Sequence, residues 1–209
     1  MNSDRMVDPI CKDSSLDGLL ARVRACRQCE AGLPLGANPV VRVSATARLL
    51  IVGQAPGTRV HATGIPWDDP SGERLRQWLQ LDNAVFYDES RVAIMPMGFC
   101  YPGKGKSGDL PPRSECAPLW HEALLEQMPA LELTLLVGSY AQQYYLGRSA
   151  ETLTARVQRW QDFAPRFLPL PHPSPRNTLW LRRNPWFEEQ VLPALRARIT
   201  ALQLANPPD

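Results

Sequence analysis

No apolar run in the 209-residue chain approaches the ~20 residues that a membrane-spanning helix needs. The first residues, MNSDRMVDPICKDSS, are polar and lack the apolar segment of a secretory signal. A cytoplasmic protein without a membrane partner is therefore expected. Strong charge is missing too. A net charge of +2 does not by itself announce a nucleic-acid partner, so any DNA binding must come from a local basic patch. Internal repeats and low-complexity segments are absent. Histidine is scarce, with three residues. Structural disulfides are rare in the cytoplasm, so the five cysteines need another explanation.

What the chain does have is proline, 21 residues, which predicts many rigid turns. Its length suits one α/β domain with a full core. We read residues 1–15 as a flexible N-terminal arm and 16–209 as a single domain. Ser15 caps a helix with Leu16, Leu19, Leu20 and Val23 at helical spacing. Strands are expected at Arg48–Gly53, Val92–Met95, Leu133–Val137 and Phe167–Leu170. Between them fall a helix capped by Ser71, one over about 117–127 and one over Ser139–Leu146. A last helix starts at Asn184-Pro185 and runs towards Leu204, with Pro193 as a kink. Strands alternating with helices predict a parallel sheet covered on both faces. Ligands of such sheets sit outside the carboxyl ends of the strands. Three unusual loops lie there: GQAPG, GFCYPGKGK and HPSPRN.

Cys26 and Cys29 are separated by two residues, and Cys100 and Cys116 both lie in one long Pro/Gly-rich loop. Four such thiolates can close a metal site, and soft sulfur ligands select zinc or an iron–sulfur cluster. Spacing alone leaves the two open. Cys11 is left over.

These features converge on one family. LLIVGQAPG and HPSPRN resemble the first and second motifs of the uracil-DNA glycosylase superfamily. The four cysteines resemble its iron–sulfur, family 4-like branch, and imply a 4Fe–4S cluster on Cys26, Cys29, Cys100 and Cys116. TGIPWDDPSGERL resembles the stretch whose aromatic stacks on the extruded base, here Trp67. The resemblance implies a three-layer α/β/α fold on a central four-stranded parallel sheet. It implies a DNA glycosylase of base-excision repair that flips a base out of the stack and hydrolyses its glycosidic bond. DNA is then the partner and the protein acts as a monomer.

The family likeness also implies roles. Gly53, Ala55, Pro56 and Gly57 would approach the sugar closely, glycine permitting contact with backbone. His172 would stabilise the leaving base as a hydrogen-bond donor. Ser174, Arg176 and Asn177 would bind substrate, the first two through phosphates. Leu179 or Trp180 would fill the vacated stack. Lys104, Lys106, Arg182 and Arg183 would add a phosphate-binding surface. His61 and His121 have no such company in the sequence. No lysine stands in an obvious nucleophile position, so a lyase step is not expected.

Three positions depart from the branch. Gln54 replaces its usual carboxylate; an amide can hold a water but cannot take its proton. Asp68 and Asp69 are the acids nearest in sequence that could supply one, or they serve the next helix N-terminus. Pro96 stands where the branch reads uracil with Asn. HPSPRN is closer to the single-strand-selective version of the motif. A base other than uracil is therefore credible, as is a weakened relative that binds DNA or a partner without excision. A thiol–metal protein unrelated to DNA is the third reading.

Overall fold

The computed structural model describes residues 15–106 and 108–204. Apart from Ser15, the arm expected at residues 1–15, with Cys11, lies outside the described residues.

In chain order the elements are α1 (Leu16–Arg24), β1 (Leu49–Val52), α2 (Thr58–Thr63), α3 (Pro70–Leu79), α4 (Asn83–Phe86) and β2 (Val92–Ile94). A short ribbon, β3 (Lys104–Gly105) and β4 (Gly108–Asp109), precedes α5 (Cys116–Glu126) and β5 (Leu133–Val137). Then come α6 (Ser139–Tyr145), α7 (Leu153–Gln158), β6 (Phe167–Leu170), α8 (Thr178–Arg183) and α9 (Leu192–Ala201).

The four main strands form one parallel sheet in the order β2-β1-β5-β6. All four residues of β1 are buried, and their alternation divides the core. Leu49 and Ile51 join Leu75, Leu79, Phe187 and Leu195 on one face. Leu50 and Val52 join Leu19, Val23, Ala117 and Leu124 on the other. The fold is therefore three layers, as the alternating pattern predicts. The strand order reverses beside β1, so a crevice opens at its carboxyl end.

Several local features differ from the sequence expectation. Asp69, not Ser71, caps α3, its Oδ1 accepting from the Gly72 N–H at 2.8 Å. Pro70 is the reason: its fixed φ suits the first helical position and makes the preceding residue the cap. A helix, α2, forms where only turns were expected. The loop after β2 folds back as the β3–β4 ribbon. Asn184 does not cap the last helix; its side chain donates to the Trp180 carbonyl at 2.8 Å and accepts from Trp186 Nε1 at 3.2 Å. That helix begins with a π turn over Phe187–Val191. Pro193 follows at once, and a widened turn accommodates its missing N–H.

Candidate active site

The site begins where β1 stops. Residues 95–98 run beside it, with the Met97 N–H on the Gly53 carbonyl at 2.9 Å and the Gly98 N–H on that of Gln54 at 3.0 Å. A Cβ on Gly53 would stand 2.8 Å from Cζ2 of Trp67. Glycine therefore lets the indole lie against the strand end. Trp67 holds a left-handed backbone, φ 58, a conformation that costs energy for a bulky residue. Arg76 Nη1 donates to its carbonyl at 3.2 Å. A Cβ on Gly72 would fall 1.8 Å from that carbonyl oxygen. The glycine of DPSG is thus required by the bend that aims Trp67.

His172 follows β6 and meets Trp67, ring centroids 5.6 Å apart. Its Nδ1 accepts from the Ser174 N–H at 3.2 Å. That leaves the proton of the neutral ring on Nε2. Burial pushes the imidazole pKa down, against a smaller opposing pull from Asp69, so the neutral form prevails near neutrality. The Asn177 amide donates to the His172 carbonyl at 2.7 Å. Asn177 thus buttresses the histidine from behind.

These groups surround a cavity of about 450 Å³, within the roughly 300–1,000 Å³ of small-molecule sites. Gly53, Gln54, Ala55, Pro56 and Gly57 line it, with Trp67 and Asp69. His172, beside Trp67, and Ser174, Arg176 and Lys104 also line it. Three stretches far apart in sequence meet here. The hydroxyl of Ser174 accepts from the Arg176 N–H at 3.2 Å, which shapes the turn leading into α8.

The carboxylates sort differently from their sequence positions. Asp68 is not among the cavity residues and pairs with Arg59 at 3.1 Å. Asp69 lines the cavity but also caps α3. Asp109, which sequence reasoning missed, faces the same cavity from β4. Partial desolvation raises its carboxyl pKa, opposed by Arg176 and Lys104 and reinforced by Asp69. Its sequence signal was a single acid inside a Gly/Lys loop, and nothing local shows that the loop folds back. Gln54 spends its Nε2 on the Leu110 carbonyl at 3.1 Å, beside that acid.

Pro96 lines the cavity, yet its carbonyl is engaged by Nε2 of His121 at 3.1 Å. His121 has company that the sequence hid: Tyr145 Oη at 2.7 Å from Nδ1 and the Phe99 ring stacked on it. Burial pushes its pKa down to about 4.

The remaining residues lie outside the cavity lining. Lys106, Arg182 and Arg183 are exposed. Leu179 is 55% exposed on α8. Trp180 packs edge-on against Trp186 and Phe187 and donates to Thr154 Oγ1 at 2.8 Å. It is half-buried and held by these contacts, so of the two wedge candidates Leu179 is the more exposed.

Cys26, Cys29, Cys100 and Cys116 line one small, almost wholly apolar pocket of about 20 Å³. Cys116 Sγ accepts from the Phe99 N–H at 3.3 Å, and burial pushes its thiol up to about 12. Among the described residues, no three Cys, His, Asp or Glu groups are clustered for one metal ion.

Comparison with known proteins adds two findings. The family model described as "Uracil DNA glycosylase superfamily" matches residues 41–196. The crystal structure of wild-type SMUG2 from Pedobacter heparinus overlays with a TM-score of 0.40 at 15% identity, over 73% of this chain and 76% of that one. A likeness that slight carries no argument.

Proposed function

The chain belongs to the uracil DNA glycosylase superfamily, and on that premise we propose that it excises a modified base from DNA by hydrolysis. The base would rotate out of the duplex into the cavity that Trp67 and His172 line together. Breaking the glycosidic bond leaves positive charge on the sugar and negative charge on the base. One observation carries the reading: His172, held neutral and with its Nδ1 occupied by the Ser174 N–H, has Nε2–H left to donate beside the cavity. A fixed donor at a developing oxyanion is a large catalytic term. Trp67 supplies a flat apolar wall for stacking. Leu179 is the side chain available to enter the vacated stack. Lys104, Lys106, Arg182 and Arg183 are cations that would meet phosphates, together with Arg176 in the cavity lining.

The substrate is uracil or a related modified base. Pro96 has no side-chain hydrogen bond and its carbonyl is spent on His121, which supports reading of the base edge by other groups. The enzyme is taken as monofunctional, monomeric and cytoplasmic, with one domain over residues 16–209. Among the described residues, no helix is long and apolar enough to cross a membrane.

A 4Fe–4S cluster on Cys26, Cys29, Cys100 and Cys116 is part of the proposal. Four sulfurs lining one pocket and the likeness of their spacing to the iron–sulfur branch support it, with zinc as the alternative. Buried thiolates also need a neighbouring cation to ionise. The cluster would tie the end of α1 to the segment before α5.

The test is an excision screen. Single- and double-stranded oligonucleotides carrying uracil, hypoxanthine and other altered bases are incubated with the protein and treated with alkali. Strand breaks at one or more bases are expected, from a brown preparation holding about four irons per chain. A second reading draws on Gln54, which brings no carboxylate to the first motif. It is a relative that binds DNA without excision, and it predicts salt-dependent binding with no abasic product.

A further inference from the structure

We propose that Asp109 is the carboxylate that holds and deprotonates the hydrolytic water, carried to the cavity on the β3–β4 ribbon and latched there by Gln54. This rests on the glycosylase reading above. The first motif presents an amide where a proton acceptor is needed, and the two acids nearest in sequence are committed elsewhere. Asp68 is paired with Arg59 outside the cavity lining, and Asp69, although it lines the cavity, has Oδ1 committed to capping α3.

Asp109 is positioned by backbone contacts. Its Oδ2 lies 3.5 Å from where a Cβ on Gly57 would stand, so the carboxylate sits directly against the first motif. Leu110, the next residue, donates its N–H to the Gly103 carbonyl at 2.8 Å and accepts from Gln54 Nε2 at 3.1 Å. Gln54 therefore acts through the ribbon as a positioning residue. A Cβ on Gly108 would fall 2.7 Å from Arg176 Nη1, so glycine admits the guanidinium beside the acid.

The charges facing Asp109 are Arg176 from the turn before α8, Lys104 across the ribbon and Asp69 from the start of α3. Desolvation outweighs the two cations and raises the carboxyl pKa, which makes it a better base. The side chain is exposed in the free protein; DNA laid over the cavity would cover it.

The step balances as follows. The C1′–N bond breaks and its electron pair leaves with the base, whose oxygen meets His172 Nε2–H. The water oxygen bonds C1′ while Asp109 takes one water proton. Asp109 then releases that proton to solvent, and the base anion takes one from solvent.

The experiment compares wild type, Asp109→Asn, Gln54→Ala and the double variant under single turnover, on an oligonucleotide whose base the wild type excises. Asp109→Asn should slow excision by about 100-fold or more while DNA binding and melting stay unchanged. The wild-type rate should fall as pH drops through the raised carboxyl pKa, and the variant should lose that limb. Gln54→Ala should slow the wild type but add nothing on top of Asp109→Asn. Asp109→Asn working at the wild-type rate, or fully additive effects, would overturn the proposal alone. A wild type that excises no base overturns the glycosylase reading and this role together.

Discussion

The cavity outside β1 holds about 450 Å³ and is lined by charged, polar and aromatic side chains, whereas the pocket between the cysteines holds about 20 Å³ and is almost wholly apolar. One segment serves both. Pro96, Lys104 and Asp109 face the first; Gly98, Phe99, Cys100, Arg113 and Cys116 face the second. Cys100 and Cys116 lie near its two ends, and its middle projects polar groups over the cavity. His121 joins the two regions, stacked on Phe99 and bonded to Pro96. On the cluster proposal, the difference separates a clamp from the working surface that it would hold in position.

Cutting the clamp should have the largest effect. Cys26→Ala is expected to lower the melting temperature by about 10 °C, on the order of 3 kcal/mol for a chain of this size, and to bleach the preparation. Calorimetry and visible absorption measure both. Melting and colour like wild type would show that the cysteine pocket does not hold the segment.

Gly72→Ala tests whether the working surface can fail by itself. The new methyl would meet the Trp67 carbonyl at 1.8 Å, so the backbone must shift at a cost of about 1–3 kcal/mol. Excision should collapse and Trp67 fluorescence should change, while the colour persists. Loss of colour as well would mean that the two regions are not separable.

The smallest effect at neutral pH, and one that grows only in acid, concerns the joint between them. His121 has a folded pKa of about 4, below its unfolded value of about 6.5. Between those values the unfolded chain binds more protons. Stability is therefore full above about pH 6.5 and falls as pH drops towards about 4, by up to roughly 3 kcal/mol. His121→Gln should flatten that part of the profile, read from denaturant unfolding. An unaltered slope would remove His121 from this role.

Much of this was legible in the residues. The four strands, the Ser15 cap and the three loops at the carboxyl ends follow from periodicity and turn chemistry, which act over a few residues. The grouping of Gln54, Trp67 and His172 around one cavity was legible too, through the resemblance of their motifs to the glycosylase superfamily. Asp109 was not legible, since an acid between Gly and Leu looks like solvated loop until the ribbon pairs Lys104 with it. Trp180 and Leu179 were indistinguishable for the same reason: adjacent positions on a helix face opposite environments only once the helix has docked.

By itself, then, the sequence determined the layered fold, the residues at the strand ends and the four sulfurs available to a cluster. Patterned burial and backbone sterics act locally and can be read in order. The tertiary structure alone decided which carboxylate reaches the cavity, which cap starts α3 and that Gln54 anchors a ribbon instead of standing free. Those outcomes depend on contacts between segments distant in the chain, and no local pattern encodes the distance at which two such segments come to rest.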